Sequence, residues 1–300
     1  MFEGDDYLKA AFVIFAIGVV GVAVNIYVLH AVFRHKVFSY AFGAGCVSHT
    51  IANLGITITF SFVVVPFTLI DPNLHHHYYL GRSGHVNVFC YFLSESSHLF
   101  LAVNRFAIML FPVRYGQMFT QRNCNLMIGS AWLFSFLASS PSFWPECLAP
   151  FKTSNMAFNI PPSLCGYVAI VYLCHHFSIG LVILIASLDL MTFYKIRTMK
   201  KMAILGDENR RNREVRFFFQ AVAQGVNFVV ELILYFELSP YVKNQWGAFA
   251  MTTVAWISVH TIDGFIVVAF NRKMWKREVA SVSAEAYAIA SAPRHSSLRS

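Results

Sequence analysis

Residues 94–120 read SESSHLFLAVNRFAIMLFPVRYGQMFT, and the placement of one arginine in this stretch decides the fold. The run opens as an apolar helix pattern and closes in a basic, turn-prone segment. Arg105 stands in the triplet Asn104-Arg105-Phe106, at the edge of an otherwise oily run. A cation there is costly unless it reaches a membrane surface or a polar cavity. Pro112 follows, then Val113, Arg114 and Tyr115. A proline disfavours helix in the residue before it, so the helix ends there and the surface is close. An isolated arginine would read as snorkelling from a helix end; the proline spacing and the rest of the chain point to a specific role.

Composition places the stretch in a bilayer. Hydrophobic residues make up 57% of the 300 and charged residues 13%, against about 45–50% and 25% in soluble domains. Phe occurs 30 times, more apolar surface than one soluble core of this size would hide. The length accommodates seven spans of about 20–25 residues with short loops, expected near 8–33, 40–70, 85–110, 124–144, 165–194, 214–238 and 246–270. Residues 1–275 form the membrane domain in this reading, and the Ser- and Ala-rich residues 276–300 a disordered cytoplasmic tail. The acidic start and the long first apolar run indicate a retained span rather than a cleaved signal peptide.

The net charge of +8 does not imply a nucleic-acid partner, because the basic residues fall in alternate loops. Lys9, Arg82, Lys152 and Lys243 lie on one side; the other nineteen of the 23 Lys and Arg lie on the opposite side. The positive-inside rule then puts the N-terminus outside and the C-terminus in the cytoplasm. Lys195 to Arg213 is the strongest solvent-facing signal, interrupted by Gly206-Asp207-Glu208-Asn209, and Asn271 to Glu278 suits a short helix on the inner membrane surface. Such charges also attract anionic lipid. Pro66 kinks span two, and Pro141 and Pro145 mark the outer end of span four. The run His75-His76-His77 is expected in a solvated outer loop, partly charged at acid pH. Adjacent helical residues point about 100° apart, so the three do not make one metal site.

The stretch from Ser94 to Thr120 resembles the third helix and second inner loop of G-protein-coupled receptors, an all-α seven-helix bundle of rhodopsin-like architecture. Asn104-Arg105-Phe106 stands where most rhodopsin-like members carry Asp-Arg-Tyr. More closely, the chain is similar to the nematode serpentine receptor class X (Srx) group of chemosensory receptors. Ser39-Tyr40-Ala41-Phe42-Gly43, Ala52-Asn53, Val65-Pro66, Ala102-Val103-Asn104-Arg105-Phe106, Phe111-Pro112-Val113-Arg114-Tyr115 and His260-Thr261-Ile262-Asp263-Gly264 carry that resemblance, from about residue 15 to about 275. It implies a receptor without cofactor or resident metal, not an enzyme, in the plasma membrane and its sensory cilia. The implied partners are a heterotrimeric G protein, the bilayer and a small environmental molecule; a neuropeptide is the alternative ligand.

The resemblance also assigns roles. Arg105 restrains span six at rest and meets the G protein, with Asn104, Phe106, Pro112 and Val113 around it; Val113 inserts into the partner. Asn104 replaces the acid that pairs with this arginine, so the local restraint is expected to be weaker, and Glu214 is the candidate carboxylate. Asn25, Asn53 and Asp263 form an intramembrane polar cluster, as if the family's span-two carboxylate had moved to span seven. Asp263 would bind a small cation or carry a proton. Gly264 and Val267 replace the family's proline and tyrosine, so the toggle tied to those residues does not transfer.

The candidate ligand pocket, chosen by depth, comprises Asn87, Tyr91, Glu95, His175, His176, Glu231, Tyr235, Trp256 and His260. Asn87 stands where amine receptors keep an aspartate, which speaks against a biogenic amine. Leu80 stands where the usual span-three cysteine would be. Cys147 and Cys165, both expected on the oxidising side, are expected to pair with each other, as in class X receptors. Two other readings compete. A zinc-dependent seven-span lipid hydrolase would need converging His and acids such as His175, His176, His260, Asp263 and Asp189, yet no HxxH, HxxxH or HExxH motif occurs. A transporter would show internal repeats and paired broken helices.

Overall fold

In a bilayer every backbone N–H and C=O must be bonded within its own segment, so the apolar runs fold as helices. The computed structural model describes residues 5–35, 38–77, 79–159, 162–201 and 208–271. Seven long helices appear among them. They are α1 (Asp5–His35), α2 (Tyr40–Ile70), α3 (Ser83–Leu110), α4 (Gln121–Ser139), α5 (164–201), α6 (208–238) and α7 (Gln245–Phe270). Six are long and apolar enough to cross a membrane. The seventh, α4, is shorter and starts polar, with Gln121, Arg122, Asn123 and Asn125 in its first turns. It begins where the Thr120 hydroxyl accepts from the Asn123 N–H at 3.3 Å, and it stops before a tight 3₁₀ turn at Ser140–Phe143 that contains Pro141.

Four of the helices carry a widened π segment: Phe60–Val64, Val168–Phe177, Ile233–Leu238 and Ala250–Val254. For α2 the cause is local. Pro66 brings no N–H and its ring crowds the carbonyl one turn earlier, so the preceding turn opens. The basic segment after α5 differs from the loop expected there: α5 runs on to Lys201 and α6 already starts at Glu208. Lys and Arg are good helix formers, and the helical bonds are local, so the helices continue past the apolar stretch. Residues 202–207 lie outside the described residues, as do the segment 272–300 with its expected surface helix and tail.

Helix α3 is the hub. It contacts α2, α4, α5 and α6, while α7 closes the ring against α1, α2 and α6. The segment between α4 and α5 folds into the mouth of the bundle at the end where the chain starts. Cys147 and Cys165 are disulfide-bonded across it. Strands β1 (Phe151–Lys152) and β2 (Ala157–Phe158) pair antiparallel, with Phe151 opposite Phe158. Phe151, Met156 and Phe158 are buried in one cluster with Ala10 and Ile14 of α1, Phe60 and Val64 of α2, and Phe249 and Ile257 of α7. Met156 makes the turn in the left-handed region, at φ 52°. The Thr253 hydroxyl, donating to the Met156 carbonyl at 2.6 Å, fixes that turn to α7. The hairpin is therefore a lid that shares the bundle's own core.

Candidate functional site

At mid-bundle, Asn25, Asn53 and Asp263 do meet, but as part of a larger network. Asn25 donates from Nδ2 to the carbonyls of Gly21 (2.9 Å) and His260 (3.1 Å), tying α1 to α7. His260 donates from Nδ1 to Asn53 Oδ1 at 2.8 Å. The Asp263 carboxylate accepts from His49 Nε2 at 3.0 Å and from Asn227 Nδ2 at 3.0 Å. His98 Nε2 stands 3.8 Å from the same carboxylate, and the Ser94 hydroxyl touches His49 Nδ1 at 3.2 Å. Trp132 of α4 donates to Ser48, which bonds Ser97. Gly264 makes this possible, since a Cβ there would lie 2.8 Å from Val24 Cγ1 and 3.1 Å from Asn25 Oδ1. Burying a carboxylate demands such partners.

His49, His98, Ser94 and Asn227 were not singled out from the sequence as members of this cluster. A signal was present. His49 and Asn53 are four apart, Ser94, Ser97 and His98 follow at helical spacing, and His260 and Asp263 are three apart, so each set shares a helix face. What hid them is that single His and Ser residues in apolar helices are commonplace.

At the opposite end from the lid, Arg105 donates from Nη2 (2.9 Å) and Nε (3.3 Å) to one oxygen of Asp189 on α5, and both residues are buried. The partner is on α5, whereas a restraint on span six was expected. The carboxylate missing beside Arg105 in the chain is supplied from the neighbouring helix. Asn104 instead accepts from the Tyr115 hydroxyl at 2.8 Å, pinning the short helix Pro112–Met118 to α3. The Glu214 side chain lies outside the described residues. Val113 is 92% exposed; Pro112 beside it is exposed as well, and Phe106 is half-buried.

The expected ligand pocket divides. Tyr91, Glu231, Tyr235 and Trp256 line one small cavity of 40 Å³ under the lid. Glu95 lies next to it and lines a larger one. Both oxygens of Glu95, Oε2 of Glu231 and Nε1 of Trp256 lack hydrogen-bond partners among the described residues. Asn87 is fully buried, and its amide has no hydrogen-bond partner among the described residues. Two further residues are not brought to this place: His176 is exposed, and His175 turns to α6, stacking on Phe236 and bonding Glu237 Oε1 at 3.0 Å. His260 belongs to the central network. Adjacent residues diverge in a widened helix, and depth alone could not show which side each faced.

The larger cavity, 510 Å³, lies between α5 and α6. Its inner wall is polar, with Glu95, His98, Arg105 and Asp189; its outer wall is apolar, with Leu190, Val226 and Val230 exposed at the bundle surface.

The sequence profile for the serpentine type 7TM GPCR chemoreceptor Srx matches residues 15–271. The chain belongs to the Srx chemoreceptor family. Serpentine receptor class X 45 of Caenorhabditis elegans is 27% identical, over 88% of this chain and 79% of that one. Serpentine receptor class X-43 of the same organism is 26% identical, over 91% and 86%. The crystal structure of squid rhodopsin superimposes with a TM-score of 0.72 at 13% identity, over 90% of this chain and 83% of that one. At that identity the likeness speaks to the fold: a rhodopsin-like seven-helix bundle. This Srx protein is thus a G-protein-coupled receptor of the membrane, not an enzyme. Within the Srx frame, the bundle holds a central polar network, a buried ion pair at one end of α3 and a small cavity under the lid at the other, and the 510 Å³ cavity touches both the network and the ion pair.

Proposed function

We propose that this receptor sits in the plasma membrane with its N-terminus outside. A small, membrane-partitioning environmental molecule would enter the cleft between α5 and α6, and its binding would release Arg105 from Asp189 to admit a heterotrimeric G protein. One observation carries the ligand class. The mouth of the bundle is filled by the disulfide-linked hairpin, whose Phe151, Met156 and Phe158 belong to the core, while the 510 Å³ cavity opens through the exposed apolar side chains of α5 and α6. A peptide approaching from water finds that mouth closed. An apolar molecule dissolved in the bilayer reaches the cleft without crossing it. Cavities of this size suit small molecules, and the polar inner wall would set specificity.

The inner end fits coupling in the same way. Val113 is presented to solvent on a helix pinned by Tyr115 to Asn104. Arg105 is held by a partner on α5, so movement of α5 against α3 frees it. Orientation rests on the charge asymmetry of the loops.

The test is nucleotide exchange by G proteins in membranes bearing the receptor, challenged with pooled volatile odorants and, separately, pooled peptides. The odorant pool is expected to stimulate exchange, and Arg105→Ala to abolish it while the protein still reaches the surface. Stimulation by peptides alone would overturn the ligand class.

A further inference from the structure

Three groups of the central network converge so that a proton arrangement leaves one of them, His98, without a hydrogen bond at Nε2 among the described residues. His49 Nε2, His98 Nε2 and an Asp263 carboxylate oxygen converge from α2, α3 and α7, all within 4.8 Å of one another. A proton on His49 completes its 3.0 Å contact with Asp263. It leaves His98 Nε2, on a side chain about nine-tenths buried, with no hydrogen-bond partner among the described residues. His98 faces His49 at a ring-centroid distance of 4.2 Å, and its Nε2 stands 3.8 Å from the same carboxylate. We propose that His49, His98 and Asp263 bind a zinc-class divalent ion, which ties α2, α3 and α7 together at the middle of the bundle.

The donor set selects the metal. Two imidazole nitrogens and one carboxylate suit zinc and its neighbours; sodium, magnesium and calcium prefer all-oxygen cages. Three protein ligands leave a fourth tetrahedral position for water. The outer shell is in place as well, since Ser94 holds His49 Nδ1 and Asn227 holds the other Asp263 oxygen. Such contacts fix the ring and carboxylate orientation a metal needs. A route exists, because His98 lines the 510 Å³ cavity.

The experiment uses the full-length receptor, purified in detergent and stripped of metal, and it reads metal binding rather than signalling. Cobalt(II) is expected to give the visible absorption of a tetrahedral site at one equivalent, displaced by zinc. Zinc at saturation is expected to raise the thermal midpoint by about 5 °C or more, and magnesium to leave it unchanged. His98→Gln should lose both signals, whereas the double variant His76→Ala/His77→Ala, altered in the loop after α2, should keep them. If His98→Gln does not fold, His98→Cys serves: cobalt bound there should show a thiolate charge-transfer band. Absence of cobalt absorption in the folded parent protein, signals that survive His98→Gln, or cobalt binding to His98→Cys without the thiolate band would each overturn the site.

Discussion

At the residue scale, the pairing of Arg105 with Asp189 shows how a charge deep in a membrane protein finds its partner. The two are 84 residues apart in the chain and meet at 2.9 Å. Removing one member of a buried pair leaves the other uncompensated, typically at about 3–5 kcal/mol. Asp189→Asn is therefore expected to lower the thermal midpoint and to raise basal nucleotide exchange several-fold, because Arg105 is no longer held. The exchanged pair Arg105→Asp/Asp189→Arg should recover the thermal midpoint, since the ion pair is remade, but not coupling, since the arginine is on the wrong helix. Thermal melting and basal exchange, measured on the same preparations, check both. The sequence did not point to Asp189 as this partner for a definite reason: adjacency along one helix says nothing of what the next helix presents.

At the element scale, the connection after α2 and the hairpin lid behave as extensions of the core. His75 was expected to be solvated like its neighbours. It is fully buried, with its ring 5.2 Å from that of Phe151, while His76 and His77 are exposed. The Thr68 hydroxyl donates to the Val64 carbonyl at 2.8 Å, so at its 3.0 Å contact with His75 Nε2 it accepts, and the imidazole is neutral, its Nδ1 without a partner among the described residues. Burial, with the His76 charge adding to it, holds His75 down at about 4. The unfolded chain therefore takes this proton first. Stability is complete above about pH 6.5 and falls as pH drops toward 4, by up to about 1.4 kcal/mol per unit. Melting curves across that range should show the fall, and His75→Phe should flatten this contribution. The lid makes a second prediction. The Cys147–Cys165 link closes a sequence separation of 18, and such a loop contributes about 3 kcal/mol. Cys147→Ser should lower the thermal midpoint and make it insensitive to reductant, whereas the parent protein should fall to the same value on reduction.

At the scale of the whole molecule, the receptor is closed at the lid end and open toward the bilayer between α5 and α6. Gly225 offers a direct probe of that route. It lines the 510 Å³ cavity, and a Cβ added there meets nothing within 4 Å. Replacing a glycine inside a helix also removes a backbone-entropy penalty of about 0.5–1 kcal/mol. Gly225→Phe, its ring directed into the cavity, is thus expected to fold with a melting temperature near that of the parent and to lose ligand-stimulated exchange. A stimulated response of parental size in a variant of parental melting temperature would show that the ligand does not use this cleft.

What the chain determines by itself is local. Apolar run length and helix-stopping prolines are enough to state seven membrane helices, because in a membrane each helix satisfies its own backbone and needs no distant partner; the receptor reading comes from the resemblance carried by the motifs around Arg105. The polar residues at depth are also legible, since each must be compensated somewhere. Which partner does so was decided only by the tertiary structure. Asp263 takes His49 from 214 residues away, Asn227 joins it from α6, and Arg105 takes Asp189. Helix rotation and neighbour order settle these pairings, and no spacing along one helix encodes them. The same holds for the pocket: depth grouped nine residues, but the turn of each helix sends His175 toward Glu237, His176 outward and His260 into the central network, leaving Tyr91, Glu231, Tyr235 and Trp256 under the lid.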